Sequence, residues 1–244
     1  VDLRSGRVVG LEALARWQHP TQGVITPTSF LYVAEETGQI APIGWQILDR
    51  ALDDLAQWHG EGIAVALAVN ISARQFAAHD FCAQIHDRLS GRGLEASLLN
   101  LEITEQVFLG DLAGTRRKLE RLRKLGVGVS LDDFGTGYSS FSYLQELPIS
   151  TLKIDRSFIC DSSGKPTQLA ILRVIAALCR ELSLEAVVEG VETVAQRDAV
   201  QALRLDVVQG FLFHRPQGRE QVTALLRSPL PVTGTGAAEA GLAR

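Results

Sequence analysis

Apolar, β-rich runs recur along the chain and alternate with amphipathic segments in which apolar residues return every three to four positions. The apolar runs predict seven strands: Val8–Leu14, Ala64–Val69, Leu98–Ile103, Val127–Leu131, Thr151–Ile154, Ala186–Val188 and Val207–Phe213. The amphipathic segments predict helices at about Ser29–Thr37, Ile43–His59, Phe81–Arg92, Leu112–Leu125, Ser139–Leu147, Thr167–Leu182, Val194–Leu203 and Glu220–Arg227. Strands that alternate with helices favour βα units and a parallel sheet, and this rhythm is one strand short of an eight-stranded barrel.

The first residues of the chain indicate where the eighth strand lies. The stretch "VDLRSGRVV" reads as a strand end, a turn at Arg4-Ser5-Gly6 and a new strand from Arg7. A hairpin of this kind makes the missing strand antiparallel to Val8–Leu14. The sequence therefore predicts an α/β fold, a modified TIM-type (βα)8 barrel with one antiparallel strand, the first strand being largely missing or upstream.

Composition and charge narrow the classes of function. The 244 residues are 46% hydrophobic and 21% charged, and the formal charge of -4 does not favour duplex nucleic acid as a partner. The three cysteines, Cys82, Cys160 and Cys179, have no metal-ligand spacing, and their odd number suits a reducing, cytoplasmic compartment. No apolar run reaches the roughly 18 to 20 residues of a membrane span, and no signal peptide is visible.

Polar residues stand within or just after every predicted strand, and nearly all of them offer oxygen ligands. They are Glu12, Asn70, Glu102 with Glu105, Asp132 with Asp133, Lys153 with Asp155, Glu189 with Glu192, and Gln209. The carboxyl ends of barrel strands converge on one mouth, where this many carboxylates would repel each other strongly without a cation. Oxygen ligands without a required His or Cys favour Mg²⁺ or Mn²⁺ over Zn²⁺.

The adjacent pair Asp132-Asp133 is a puzzle, because successive side chains on a strand point to opposite faces. Either the pair belongs to a solvated turn, or the chain bends there and turns both carboxylates toward a cation. We expect the strand to end at Asp132, with Gly135 and Gly137 allowing a sharp turn.

Seven separated motifs occur together in a fixed order. They are "GLEALARWQHP" (10–20), "VNIS" (69–72), "LEITE" (101–105), "LDDFGTGYSS" (131–140), "LKIDRSF" (152–158), "VVEGVET" (187–193) and "QGFLFHRP" (209–216). Through them the chain closely resembles the EAL-domain cyclic-di-GMP phosphodiesterases, from Val1 to about Arg227. The resemblance implies a modified βα-barrel with one antiparallel strand, and hydrolysis of one phosphodiester bond of cyclic-di-GMP to linear pGpG. It also implies two divalent cations, Mg²⁺ or Mn²⁺, with Ca²⁺ inhibitory.

Each site residue implied by the resemblance is matched in this sequence. The first metal would be held by Glu12, Asn70, Glu102 and Asp132, and the second by Asp132, Asp133 and Glu189. Two such ions clamp the attacking and leaving oxygens of an in-line displacement. Lys153 would steady the nucleophile or the developing charge, and Glu189 would accept a proton. The implied substrate contacts are Leu14, Arg16, Asp155, Glu192, Gln209 and Phe211. Glu105 would anchor the loop 134–141.

Other interpretations stay open at this point. Taken singly, Glu12 is an ordinary strand acid, and Lys153 would be a surface lysine. A second function is a cyclic-di-GMP receptor that does not cut, and a third is a Mg²⁺ barrel that acts on another substrate. The full set of metal ligands favours the enzyme over the receptor.

The family also bears on the surroundings of the domain. It suggests a homodimer, and a diguanylate cyclase or sensory domain in a longer parent chain whose membrane attachment is open. We expect residues 1–228 to form one domain and residues 229–244 to be a disordered tail. His214 stands where the family commonly has Ser, and the connection 161–167 is short.

Overall fold

The computed structural model describes residues 1–108, 111–135, 144–159 and 166–228. These residues fall into two compact units, one formed by Leu11–Val129 and the other by Val1–Gly10 with Ser130–Arg244. Gly137, Cys160, most of the predicted helix at 139–147, most of the connection 161–167 and the tail 229–244 lie outside the described residues.

Five α-helices and most of the strands of the first half of the chain lie in the described part of the unit Leu11–Val129. Its strands are β1 (Gly10–Ala13), β2 (Trp17–His19), β3 (Gly23–Ile25), β4 (Ala66–Asn70) and β5 (Leu99–Thr104). Its helices are α1 (Pro27–Glu36), α2 (Ile40–Gly60), α3 (Ala73–Ala77), α4 (Phe81–Ser90) and α5 (Leu112–Leu125). A 3₁₀ turn, Glu105–Phe108, follows β5 directly.

The second unit continues the alternation of strands and helices. Strand β6 (Gly128–Phe134) begins two residues before the boundary between the units and is followed by β7 (Thr151–Ile154), β8 (Glu185–Val188) and β9 (Val207–Val208). The helices that the structure describes in this unit are α6 (Pro166–Glu181), α7 (Val194–Ala202) and α8 (Arg219–Arg227). A short 3₁₀ turn, Arg156–Phe158, follows β7.

Strands within each unit pair as the βα pattern predicts. In the first unit β1, β4 and β5 are neighbours, and β4 runs parallel to β5 with Asn70 opposite Glu102. In the second unit β6, β7, β8 and β9 are neighbours, and each adjacent pair is parallel. Parallel neighbours bring the residues that follow each strand to the same edge of the sheet.

Each unit has an apolar core between its strands and its helices. Leu48, Leu52 and Leu55 recur on one face of α2, are fully buried, and belong to the helix that packs against β4. In the second unit Ile175 and Cys179 of α6 are almost fully buried, and this helix packs against β8. These cores hold the strands whose ends bear the polar residues.

The hairpin predicted at the start of the chain is confirmed. Asp2 bridges Arg7 in the antiparallel sense across a turn in which Gly6 has a φ of 66°. Asp2 also bridges Val207 in the antiparallel sense, and the amide of Val208 donates to the carbonyl of Val1 at 2.9 Å. The antiparallel strand is therefore represented by the first residues of the chain, which lie along β9.

Some boundaries differ from the sequence prediction. The described α5 has the predicted bounds, whereas β9 ends at Val208 and residues 211–213 form a turn instead of continuing the strand to Phe213. The hairpin β2–β3 and the five-residue helix α3 were not predicted. Among the described residues, no helix is both long enough and apolar enough to cross a membrane.

Candidate metal and phosphodiester site

The pair Asp132-Asp133 lies in an irregular part of β6. The pairing of β6 with β7 shifts register between Leu131 and Phe134. Asp132 and Asp133 therefore lie opposite a single residue of β7, which is a β-bulge. Asp133 has a φ of 54°, which is the left-handed region, and its amide donates to Oδ1 of Asp132 at 3.0 Å. A bulge of this kind redirects side chains that would otherwise alternate between the two faces.

The prediction that the strand ends at Asp132 is therefore wrong. The strand continues to Phe134, and the left-handed residue that bends the chain is Asp133 itself. Gly135 follows with a φ of 93°, and a Cβ there would lie 2.5 Å from Cζ of Phe158. Glycine is thus required at position 135 by both its conformation and its close neighbour.

Asp132, Asp133 and Glu189 form an acidic cluster. One carboxylate oxygen from each lies within 4.8 Å of the others. Asp132 is buried, Asp133 is exposed and Glu189 is half-buried, so the cluster opens to solvent on one side. The backbone amide of Glu189 donates to the carbonyl of Ile154 at 3.0 Å, which fixes the start of this segment against the end of β7.

Lys153 is buried beneath the acidic cluster. Its Nζ lies 2.6 Å from Oε1 of Glu189 and 3.4 Å from Oδ1 of Asp132, and the residue is only 3% exposed. A buried ammonium group is stable only with such partners. The three carboxylates carry three negative charges, and Lys153 balances one of them. The two that remain match the charge of one divalent cation.

The other unit presents a second group of oxygen-bearing side chains at strand ends. Nδ2 of Asn70 donates to Oε1 of Glu12 at 2.8 Å. Asn70 faces Glu102 across the β4–β5 pair, and the amide of Ile71 donates to the carbonyl of Glu102 at 2.9 Å. Glu102 is 3% exposed, which is unusual for a glutamate side chain. Glu12, Asn70 and Glu102 therefore lie at the ends of three neighbouring strands.

Three further predicted residues of the first unit lie at or just beyond strand ends. Leu14, which follows β1, is 42% exposed. Arg16 is exposed, and its Nη1 donates to the carbonyl of Ala15 at 2.6 Å. Glu105 is half-buried in the 3₁₀ turn after β5, and most of the loop that it was predicted to anchor lies outside the described residues.

Asp155 and Glu192 follow strands β7 and β8 in the second unit. Oδ1 of Asp155 accepts a hydrogen bond from the amide of Ser157 at 2.9 Å and so caps the 3₁₀ turn. Burial raises the pKa of the Asp155 carboxyl, but hydrogen bonds from Ser157 and from the Arg156 backbone outweigh it, and the pKa lies below its usual value. Glu192 is exposed, and its amide donates to Oε1 of Gln196 at 2.8 Å.

Gln209 and Phe211 lie in the segment after β9. The backbone of Gln209 is hydrogen-bonded to the segment that contains Glu189. The amide of Gln209 donates to the carbonyl of Val188 at 2.8 Å. Phe211 is 45% exposed, and the guanidinium carbon of Arg215 lies 4.6 Å from the centre of its ring. A half-exposed aromatic ring of this kind is available for stacking.

His214, the residue that departs from the family pattern, is half-buried at the end of this turn. Its amide donates to the carbonyl of Gly210 at 3.2 Å. Burial lowers the pKa of the imidazole below its ordinary value, and the positive charge of the Val1 amino group acts in the same direction. Nothing in this environment explains why His replaces Ser.

Sequence reasoning missed two glycines of the second unit, Gly190 and Gly210. Gly190 has a φ of 70°, and a Cβ on it would overlap Cβ of Arg156. A Cβ on Gly210 would overlap the backbone of Val191. Their only signal in the sequence is their place next to the acidic and aromatic residues of "VVEGVET" and "QGFLFHRP".

Comparison with known proteins now decides the family. Residues 1–216 match the model of the EAL domain. The chain belongs to the EAL domain family. It is 45% identical over 221 residues to the bifunctional diguanylate cyclase/cyclic di-GMP phosphodiesterase MucR of Pseudomonas aeruginosa, which covers 90% of this chain and 32% of MucR. It is 37% identical over 227 residues to the cyclic di-GMP phosphodiesterase PA2567 of the same organism, covering 93% of this chain and 39% of the relative.

A solved structure supports the same assignment. The MucR phosphodiesterase in complex with c-di-GMP superimposes with a TM-score of 0.86 and 45% identity, covering 91% of this EAL chain and 90% of that chain. The predicted fold class is confirmed by this likeness. The EAL chain spans less than two fifths of the length of the curated relatives that it matches most strongly.

Proposed function

We propose that this EAL chain hydrolyses one phosphodiester bond of cyclic-di-GMP to give linear pGpG. The observation that supports this most directly is the acidic cluster Asp132, Asp133 and Glu189 with the buried Lys153 bonded to it. Two of its relatives, MucR and PA2567, are named for phosphodiesterase activity, and the similar MucR structure is a c-di-GMP complex. The likeness in sequence makes the same dinucleotide the best candidate substrate.

The donor set of the acidic cluster fits a hard divalent cation. All three groups offer carboxylate oxygens, the kind of ligand that Mg²⁺ and Mn²⁺ prefer. We propose that Asp132, Asp133 and Glu189 hold one ion, and that Glu12, Asn70 and Glu102 supply ligands for another. When bound, such ions polarise the phosphoryl oxygens and lower the pKa of a nucleophilic water.

Lys153 has the placement expected of a group that acts on the reacting phosphate. Its ammonium group is held by two carboxylates and is shielded from solvent, so its charge is little screened. It would donate a hydrogen bond to the attacking oxygen or to a phosphoryl oxygen as negative charge develops there. We propose that Glu189, whose Oε1 lies 2.6 Å from Nζ of Lys153, accepts a proton in the same step.

Substrate contacts are proposed from the resemblance together with exposure. Arg16 would bind a phosphate oxygen through its exposed guanidinium group, and Phe211 would stack on a guanine. Leu14, Asp155, Glu192 and Gln209 would complete the contacts.

Turnover by the purified protein tests the proposal. The protein is incubated with cyclic-di-GMP and Mn²⁺, and the nucleotides are separated by chromatography. The expected product is pGpG, with no product when the metal is chelated. Lys153→Met should lose turnover while still binding cyclic-di-GMP in calorimetry, and the exposed Lys124→Met is its matched control. Binding without any cleavage by the unaltered protein would favour the receptor instead.

The wider context is also a proposal. We propose that residues 1–228 act as one cytoplasmic domain that forms a homodimer and belongs to a longer signalling chain with cyclase or sensory domains. The exposed apolar residues Ile171 and Val174 on α6, 40% and 60% exposed, support self-association. Light scattering over a range of concentrations would check it, and a monomer at every concentration would contradict it.

A further inference from the structure

Two segments of the second unit are joined by hydrogen bonds between their backbones. The amide of Gln209 donates to the carbonyl of Val188 at 2.8 Å, and the amide of Val191 donates to the carbonyl of Gln209 at 3.0 Å. The amide of Leu212 donates to the carbonyl of Val191 at 3.0 Å. Residues 188–191 and 209–212, which we call the backbone clasp, are therefore held in one fixed arrangement beyond the ends of β8 and β9.

Glycine at position 210 is what allows the two segments to approach. A Cβ on Gly210 would overlap the nitrogen, carbonyl carbon and oxygen of Val191. Val191 is completely buried and cannot move aside without disturbing the core. A side chain at position 210 must therefore separate the segments or displace one of them.

Each segment of the backbone clasp contains a residue of the proposed site. One segment contains Glu189, whose carboxylate contacts Lys153 and belongs to the acidic cluster. The other contains Gln209 and Phe211, the proposed base contacts. The backbone of Val191 is hydrogen-bonded to both Gln209 and Leu212. Only a few covalent and hydrogen bonds therefore separate the carboxylate-bearing Glu189 from the proposed base contacts Gln209 and Phe211.

We infer that Gly210 is a positioning residue that couples the base-binding segment to the metal-binding carboxylate of Glu189. The inference rests on the proposed function. A guanine that packs against Phe211 restrains residues 209–212, and the backbone clasp passes that restraint to Glu189. Base recognition then contributes to the geometry of the reacting centre as well as to substrate affinity.

Gly210→Ala is the direct test. A displacement of about 1 Å at a reacting centre can cost on the order of 10²-fold in rate. We expect kcat to fall by about 10- to 100-fold, KM for cyclic-di-GMP to rise, and Mn²⁺ affinity, measured by calorimetry without substrate, to fall as well. The loss of Mn²⁺ affinity reports on Glu189 independently of turnover.

Two control variants separate coupling from simpler effects. Gly60→Ala places a Cβ where no atom lies within 4 Å and should match the unaltered protein in every measurement. Phe211→Ala removes the ring but leaves the backbone clasp, so it should raise KM, lower kcat because the bound guanine no longer restrains residues 209–212, and leave Mn²⁺ affinity without substrate unchanged. If Gly210→Ala does not fold, Gly190→Ala disturbs the same backbone clasp from the Glu189 side, where φ is 70°, and should also weaken Mn²⁺ binding.

The outcomes are distinguishable. A Gly210→Ala protein with a lower melting temperature but unchanged kcat, KM and Mn²⁺ affinity would overturn the inference, since glycine would then serve stability only. If Gly210→Ala changes the kinetics as Phe211→Ala does and leaves Mn²⁺ affinity unchanged, the coupling to Glu189 is overturned. If the unaltered protein does not cleave cyclic-di-GMP, the proposed function fails, whereas the Mn²⁺ measurements still decide whether Gly210 positions Glu189.

Discussion

At the scale of single residues, Asp133 combines a backbone role with a chemical one. Its φ of 54° lies in a region that most side chains avoid, but that Asp and Asn enter with little penalty. The hydrogen bond from its amide to Asp132 holds the bulge. Asp133→Asn therefore keeps the backbone conformation and removes only the charge, which makes it an informative substitution.

We expect Asp133→Asn to lose at least ~10²-fold in kcat while cyclic-di-GMP binding stays within about an order of magnitude. This loss corresponds to ~2.7 kcal/mol of transition-state stabilisation. The metal held by the acidic cluster should weaken most, because an amide is a poorer ligand than a carboxylate. Calorimetry and nucleotide chromatography measure the two effects.

Asp198→Asn is the control for this substitution, because Asp198 is an exposed acid paired with Arg197 on α7. It should behave as the unaltered protein does. Near-normal turnover by Asp133→Asn would return the pair to the solvated-turn interpretation.

The buried cysteine of α6 gives a second prediction. Cys179 is 2% exposed, and burial raises the pKa of its thiol to about 11. At pH 8 only about one thiol in a thousand is then ionised. In a Cys160→Ser background, a disulfide-exchange reagent should label Cys179 in the native protein far more slowly than in urea. Rapid labelling without urea would show that α6 opens readily.

At the scale of helices and strands, Lys118 joins two elements of the first unit. Its Nζ, projecting from α5, donates to the carbonyls of Phe76, Ala77 and Ala78 at 2.7, 3.0 and 2.9 Å. These carbonyls lie at the end of α3, where a positive charge is favourable. The helix begins three residues after Asn70, so this contact supports the segment that follows a proposed metal ligand.

Lys118→Met should destabilise the protein by about 1.5–3 kcal/mol, the usual value of hydrogen bonds to a charged group. For a chain of this size the melting temperature should fall by roughly 3–12 °C. Met keeps the aliphatic stem, so packing is largely retained. Lys124→Met, on the exposed face of the same helix, should shift the melting temperature by less than about 2 °C. Equal shifts for the two variants would argue against the carbonyl contact.

Long elements could be predicted from the sequence because their periodicity extends over several turns. Helix α5 has the predicted bounds, and Gly126 at its end is left-handed. The hairpin β2–β3 was missed because its strands have three residues each, too few to show alternation. Helix α3 has five residues and depends on Ser72 at its start and Lys118 at its end, a tertiary contact with no local signal.

The site itself was only partly predictable. The residue types at the strand ends followed from the motifs, and the structure brings Asp132, Asp133, Lys153 and Glu189 together in one unit. The bulge at Asp133 could not be predicted, because strand register depends on a neighbour that is distant in sequence. The role of Gly210 depends in the same way on Val191.

At the scale of the whole molecule, the proposed chemistry depends on the choice of cation. All the proposed ligands are oxygens, so ionic size and coordination geometry decide which ion supports turnover. Mg²⁺ prefers a near-octahedral arrangement at about 2.0–2.1 Å, whereas Ca²⁺ accepts six to eight ligands at about 2.3–2.6 Å in flexible geometry. Ca²⁺ should therefore bind the same carboxylates and hold the reacting groups in the wrong place.

We expect protein stripped of metal to be inactive, and Mg²⁺ or Mn²⁺ to restore turnover. Ca²⁺ alone should restore far less of that rate, with a loss on the order of 10²-fold where its longer bonds misplace the reacting groups by about 1 Å. Ca²⁺ added to the Mg²⁺-loaded protein should lower the rate in proportion to its occupancy, and excess Mg²⁺ should reverse the inhibition. Initial rates over a grid of the two ion concentrations would measure the competition. Equal turnover with Ca²⁺ and Mg²⁺ would contradict a mechanism in which the bound ions set the geometry of the reacting groups. Ca²⁺ and Mg²⁺ differ so much in size that they cannot hold the same carboxylates at the same spacing.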